Sequence, residues 1–303
     1  MSGSANKFTI NRLSDSGAAE IIGLDCAKPL DIPLLSALQR ATLDHPVVVI
    51  RGQKLSARQQ TAFSRQLGPL EPQDRKAYAH PDDPDVLILS NELRPDGSAV
   101  GIVDAGDFWH SDSSHLPEPC KQTVLYAVRN PREGGDTEFC NMYQVYDALP
   151  AELKRQVEGR YGIHHISKLK NPRVSISPAR ADAADYYRQR EKVTKPMRQP
   201  LVRTHPETGR QALYASPRFT IGIADMDDAQ AQPLLDKLFA IMTKPRFHYR
   251  HKWQDGDLVI WDNRCLNHQA CGGYRLPDIR RMHRTSIAGD RPFYRPAAQS
   301  AAE

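Results

Sequence analysis

Residues 257–269 read Asp-Leu-Val-Ile-Trp-Asp-Asn-Arg-Cys-Leu-Asn-His-Gln. The first half, DLVIWD, is a short apolar run that reads as a buried strand. The second half sets His268 a few residues beyond its end. Outward from this stretch the same pattern recurs. KQTVLYAV (121–128), DTEFC (136–140), YGIHHIS (161–167), LVRTH (201–205), QALYA (211–215), RFTIGI (218–223), FHYRHKW (247–253) and IRRMHRTSIA (279–288) all read as short strands. Upstream, HPVVVIRG (45–52) and DVLILSN (85–91) read the same way. Many short strands separated by turn signals predict a double-sheet barrel or jelly roll. Helical spacing predicts helices over 32–43, 56–68, 143–148, 151–159 and 228–243. The expected fold class is therefore mainly β with flanking helices. The polar stretch 92–109 reads as loop. Residues 168–200, rich in Arg, Lys, Pro and Ala, read as an insertion or lid over a site.

A second stretch, Trp109-His110-Ser111-Asp112, supplies the chemistry. In an extended edge, residues two apart point the same way, so His110 and Asp112 project together. With His268 they make two imidazoles and one carboxylate, the donor set of a facial iron(II) site with open positions. By itself the His-x-Asp pair is also compatible with an ordinary hydrogen-bonded pair. The strand after His268 strengthens the metal reading, because Arg280, Met282 and Arg284 share one of its faces while Arg281 and His283 share the other. Two arginines on a metal-facing side can hold two anions.

Composition bounds the remainder. The chain has 303 residues, 40 % hydrophobic and 25 % charged, with a net charge of +5. It is long enough for a substantial core. The charge is spread without basic blocks, so nucleic acid is not an expected partner, whereas small anions are. No apolar run reaches membrane-span length and the N-terminus lacks a signal-peptide core. The five cysteines (Cys26, Cys120, Cys140, Cys265, Cys271) show no C-x-x-C spacing, which disfavours a zinc ribbon and a disulfide framework. A cytoplasmic, non-membrane protein is expected.

The motifs FWHSDSS (108–114), GGDTEFC (134–140), VRTHPETGRQALY (202–214), WDNRCLNHQ (261–269) and RRMHRTSIAGDRPFYR (280–295) occur in the order found in the taurine dioxygenase / 2,4-dichlorophenoxyacetate dioxygenase (TauD/TfdA) family. The chain resembles that family from about Phe8 to Arg295. The resemblance implies a double-stranded β-helix, a cupin-like jelly roll, as one domain over 1–303. It implies Fe(II) on His110, Asp112 and His268, with 2-oxoglutarate as cosubstrate and O2 as oxidant. Thr137 and Arg280 match the residues that hold the far carboxylate of 2-oxoglutarate, with Arg281 as the alternative if the match slips by one. Arg284 matches the arginine that binds the anionic head of the primary substrate. His80 and Phe219 fall at substrate-binding positions, while Ser113 and Ile166 depart from the residues of the taurine pocket. The implied reaction hydroxylates a small anionic organic substrate, an organosulfonate such as taurine, a sulfate ester or an aryloxyalkanoate, and yields succinate and CO2. A homodimer or homotetramer is the family-level expectation. Two other readings stay open on the residues alone. One is a metal-dependent hydrolase or isomerase on a cupin-like barrel. The other is a non-catalytic jelly-roll binding protein.

Overall fold

The computed structural model describes residues 8–72, 75–103, 106–167 and 192–296. In chain order the elements are β1 (Thr9–Arg12), β2 (Ala18–Ile22), α1 (Ile32–Asp44), β3 (Val47–Ile50), α2 (Ala57–Leu67), β4 (Ala79–His80), β5 (Asp83–Ser90), β6 (Gln122–Arg129), β7 (Thr137–Asn141), α3 (Met142–Asp147) and α4 (Ala151–Val157). There follow β8 (Tyr161–His164), β9 (Met197–Pro200), β10 (Val202–Thr204), β11 (Gln211–Leu213), β12 (Thr220–Ile223), α5 (Asp228–Met242), β13 (His248–His251), β14 (Leu258–Asp262), β15 (Leu266–Ala270) and β16 (Arg281–Ile287).

The helices begin where short polar side chains satisfy the free amides of the first turn. Asp31 accepts from the Leu34 amide at 2.8 Å to start α1. Ser56 and Gln59 form a reciprocal capping box on α2. Both helices cover one face of an eight-stranded sheet, ordered β1-β2-β3-β14-β6-β16-β5-β4. Phe63 of α2 joins Ile21, Val124, Leu258 and Ile260 in that layer. The helix is also tied to the sheet by polar contacts: Ser64 Oγ lies 2.7 Å from Thr285 Oγ1, and Gln60 donates to the His283 carbonyl at 2.9 Å.

Strand periodicity divides the central residues between two cores. Val124 and Tyr126 of β6 face the helices, whereas Leu125 and Ala127 face the other way. Leu258 and Ile260 of β14 likewise alternate with Val259 and Trp261. The inward face meets a three-stranded sheet, β13-β7-β15, and the larger core fills the space between them. Phe139 of β7 lies 5.4 Å from Trp261 of β14, ring centre to ring centre. A second three-stranded sheet, β12-β8-β9, and the hairpin β10-β11 complete the β structure among the described residues.

Several elements differ from the sequence reading. β1 and β2 lie in a stretch without a strong strand pattern; the exposed β1 is held by pairing along its whole length to β2. His268 lies a few residues beyond β14, as expected, but there it sits inside a further strand, β15, paired with β7 opposite Phe139. The end of the expected insertion, Met197–Pro200, is strand β9 on β8. Residues 168–191 of that segment lie outside the described residues.

Candidate metal and cosubstrate site

The site forms between the large sheet and β13-β7-β15. The smaller sheet brings Thr137 on β7 and His268 on β15; the large sheet brings Arg284 on β16, with Arg280 just before it. His110 is attached to this frame by two backbone hydrogen bonds. Its amide donates to the His268 carbonyl at 3.0 Å, and its carbonyl accepts from the His268 amide at 2.7 Å. This two-residue bridge sets the imidazoles side by side, with ring centres 4.2 Å apart. Gly106, at φ +81°, lets the preceding loop pass close by, since a Cβ there would lie 2.9 Å from His110 Cε1.

Asp112 joins them by a different route from the expected strand alternation, because residues 112–115 form a turn. The turn is fixed from below by Asn263. Its carbonyl accepts from Ser111 Oγ at 2.7 Å, and its side-chain Oδ1 accepts from the Asp112 amide at 3.2 Å. Asp112 Oδ1 then lies 3.5 Å from His110 Nε2, and Oδ2 lies 3.8 Å from His268 Nε2. One potential donor atom from each of the three residues lies within 4.8 Å of the others, so the group can hold a metal ion.

The donors are in the right chemical state. The Phe108 carbonyl, 2.7 Å from His110 Nδ1, favours the proton on that nitrogen and leaves the Nε2 lone pair facing inward. Burial and the adjacent His110 push His268 down to about 3, so its ring is neutral at physiological pH. Burial opposes ionisation of Asp112, but His268, the Arg284 guanidinium and His110 outweigh it and hold the carboxyl well below its ordinary range. With His268 neutral, Arg284, whose Nη1 is 3.6 Å from Asp112 Oδ1, is the permanent cation among these neighbours.

His110, Asp112, Thr137, His268, Arg280 and Arg284 line one pocket together with the apolar side chains of Leu89, Leu125 and Trp261. Arg280 is tied back through Nε to the Gly135 carbonyl at 3.0 Å, which leaves its terminal amino groups for a ligand. Gly134 makes that approach possible: at φ +75° its Cα packs so tightly on the Gly272–Gly273 loop that a Cβ would sit 2.5 Å from the Gly273 carbonyl oxygen. Arg281 points elsewhere and pairs with Glu92 at 3.3 Å.

The substrate-side residues divide. Phe219 is beside the group, its ring 6.1 Å from that of His110, and Ile166 packs on it. Ser113 adjoins Asp112 at φ +55° and donates to Glu71 at 3.3 Å. His80 is not brought to the pocket. Its ring stands edge-on to His283 at 4.8 Å, and its Nδ1 accepts the Asp82 amide at 3.1 Å in a turn. His283 occupies the helix-facing side of β16, opposite Arg284, so strand alternation places His80 on the wrong face.

Four contributors went unread in the sequence: Thr123, Asn263, Asp262 and Arg264. Thr123 Oγ1 donates to Asp112 Oδ2 at 2.7 Å and accepts from Asn263 Nδ2 at 2.9 Å. Arg264 folds back on Asp262, with Nη2 at 2.6 Å from Oδ2, and His205 adds a further contact to Asp262 at 3.1 Å. This buried cluster shapes the turn that carries the chain from β14 to His268. The only sequence signal for it was the D-N-R run itself.

Comparison with known proteins gives the class. The family model described as "Taurine catabolism dioxygenase TauD, TfdA family" matches residues 9–286. The chain is 33 % identical to the alpha-ketoglutarate-dependent 2,4-dichlorophenoxyacetate dioxygenase of Cupriavidus pinatubonensis, over 92 % of this chain and 97 % of that one. It is 34 % identical to the (S)-phenoxypropionate/alpha-ketoglutarate-dioxygenase of Sphingobium herbicidovorans, over 97 % and 98 %. The crystal structure of AAD-2 in complex with Mn(II) and N-oxalylglycine superposes with a TM-score of 0.76 at 31 % identity, covering 94 % of this chain and 99 % of that one. The chain belongs to the TauD/TfdA family of Fe(II)- and 2-oxoglutarate-dependent dioxygenases. The hydrolase, isomerase and non-catalytic readings are thereby set aside.

Proposed function

We propose that His110, Asp112 and His268 hold the Fe(II), that Thr137 and Arg280 hold the far carboxylate of 2-oxoglutarate, and that Arg284 binds the anionic group of a small organic substrate. The observation that carries this reading is the convergence of these six side chains on one pocket. The two sheets that face each other across it support a double-stranded β-helix acting as one catalytic unit.

Two neutral imidazole nitrogens and one carboxylate suit Fe(II) and leave coordination positions free. When bound with 2-oxoglutarate and O2, the iron supplies the oxidant that hydroxylates a substrate C–H bond, with succinate and CO2 as coproducts. The protein's task is placement. Thr123 fixes Asp112 Oδ2, which directs the Oδ1 edge of the carboxylate toward His110 and Arg284. Arg280, anchored at Gly135, offers a planar fork that matches a carboxylate. Arg284 has a buried Nε with no hydrogen-bond partner among the described residues, a donor that an anionic ligand would satisfy. Phe219 and Ile166 supply an apolar surface beside His110 for the carbon part of the substrate.

An aryloxyalkanoate combines such an apolar part with a carboxylate, and the two relatives act on substrates of that kind by name. Hydroxylation at the ether-bearing carbon would release a phenol and leave an oxo acid. The test is a panel of aryloxyalkanoates, sulfate esters and organosulfonates including taurine. Oxygen-dependent succinate should appear together with phenol for the first class. Sulfite from taurine without phenol from any aryloxyalkanoate would reassign the substrate. No succinate from any compound, in protein that binds Fe(II), would count against the assignment of Thr137, Arg280 and Arg284.

A further inference from the structure

Trp253 lies two residues beyond the end of β13, and its indole Nε1 is 3.0 Å from Thr137 Oγ1. An indole N–H can only donate, so the Thr137 oxygen must accept this bond. The hydroxyl keeps its own hydrogen, and no acceptor for that hydrogen occurs among the described residues. Thr137 is 4 % exposed, and its free side is the pocket shared with Arg280. A carboxylate can only accept. The geometry therefore leaves Thr137 as a donor aimed at an acceptor-only ligand.

The indole is itself held in place. His251 of β13, directly opposite Thr137 in the β13–β7 register, stands edge-on to it at 4.6 Å and 89°. His251 is in turn clamped by Asp257 at 3.0 Å through Nε2 and by Tyr249 Oη at 3.0 Å through Nδ1. Asp257 also accepts the Gln254 amide at 3.0 Å, which fixes the backbone just after Trp253. Asp257 and His251 are fully buried, so this support does not exchange with solvent.

We propose that Trp253 is a positioning residue that makes the Thr137 hydroxyl a dedicated hydrogen-bond donor to the far carboxylate of 2-oxoglutarate. The proposal rests on the reading that Thr137 holds this carboxylate. Without the indole, the hydroxyl can rotate into either role, and a fraction of its orientations present a lone pair to the anion. One neutral-to-charged hydrogen bond is at stake, which corresponds to about a tenfold change in affinity.

The test is calorimetric titration of Mn(II)-loaded protein with 2-oxoglutarate, and separately with 2-oxobutyrate, which lacks the far carboxylate. Trp253→Phe keeps an aromatic ring against His251 and removes the N–H. It should bind 2-oxoglutarate about tenfold more weakly and 2-oxobutyrate as the wild type does. Thr137→Val should also lose 2-oxoglutarate affinity, and the double variant should be no weaker than Thr137→Val alone. If Thr137→Val binds 2-oxoglutarate like the wild type, the assignment of the cosubstrate site is wrong. If Thr137→Val is weakened and Trp253→Phe is not, that assignment stands and the role of Trp253 is overturned. Equal loss of both oxo acids in Trp253→Phe also overturns it, as general loosening. A second readout needs no tryptophan variant to fold. With three tryptophans in the chain, the indole ¹⁵N–¹H signals of metal-free protein are few, and one should shift in Thr137→Val. Unchanged indole signals would contradict the bond on which the proposal depends.

Discussion

Thr123 Oγ1 lies 2.7 Å from Asp112 Oδ2, and neither side chain is open to solvent. Asn263 Nδ2 donates to the same hydroxyl at 2.9 Å, so the threonine hydrogen is committed to the carboxylate. Removing such an outer support weakens metal affinity by about 10–100-fold in comparable sites. Thr123→Val should therefore lower Mn(II) or Co(II) affinity by that order, measured by calorimetry, while Thr123→Ser retains it. Wild-type affinity in Thr123→Val would mean that Asp112 is held by its backbone contacts to Asn263 alone.

Arg280 and Arg281 are neighbours with opposite surroundings. Arg280 lines the pocket with Thr137, whereas Arg281 pairs with Glu92 on the other side of the strand. Arg280→Gln should raise the KM for 2-oxoglutarate by roughly 100-fold, the loss of a charge-assisted bidentate contact of about 3 kcal/mol. Arg281→Gln should change it by no more than about threefold, because a partly exposed ion pair contributes ~1 kcal/mol or less. Steady-state kinetics with 2-oxoglutarate varied decides this, and the reverse ranking would move the cosubstrate role to Arg281.

Arg284 faces the substrate side and Asp112 together. Arg284→Gln should raise the KM for an anionic primary substrate by at least about tenfold. Its 2-oxoglutarate affinity in the Mn(II) protein should stay within about threefold of wild type. Succinate production would then outrun product formation, since a poorly seated substrate is not hydroxylated. Equal loss of both ligands would show that Arg284 acts on Asp112 and not on substrate.

The Asp262–Arg264 pair is buried on both sides, with each side chain 2 % exposed. Arg264 and His205 hold the Asp262 carboxyl below its ordinary range against the effect of burial. Asp262→Leu would strand the Arg264 charge, and breaking such a buried pair costs about 3–5 kcal/mol. The melting temperature should fall by roughly 5–8 °C. Because the turn delivers His268, metal affinity should fall as well. An unchanged melting temperature would show that Glu207, the other partner of Arg264, suffices.

Acid should destabilise the protein through its buried histidines. Burial holds His164, His268 and His283 down to about 3. Each folded value is below the unfolded value of about 6.5, so the unfolded chain binds more protons between these limits. Their contribution is complete above about pH 6.5 and is lost as pH falls toward 3, at up to about 1.4 kcal/mol per pH unit for each ring. His283 is the cleanest probe, since both ring nitrogens are buried without a hydrogen-bond partner among the described residues. Metal-free His283→Phe should show a shallower loss of melting temperature between pH 7.5 and 5.5 than the wild type. A parallel curve would place the sensitivity in the other two rings.

The sequence by itself determined the class of this protein. Strands that alternate or run apolar are set by local periodicity, and most of the expected ones were found within a few residues. The two motifs around His110 and His268, with the arginine strand behind them, were legible because the chemistry demands particular side chains at fixed spacing. Strand parity also separated Arg280 and Arg284 from Arg281 and His283, and the pocket and the Glu92 pair follow that division. Tertiary structure alone decided the rest. His80 went to the helix-facing side because its short strand pairs with β5, a long-range choice that no local pattern encodes. Asp112 met the histidines through Asn263, which lies 151 residues away, and not through strand alternation. Thr123 and Trp253 were ordinary strand and core residues until sheet pairing set their polar atoms against Asp112 and Thr137. Hydrogen bonds reach about 3 Å, and only the packed sheets bring such distant positions within it.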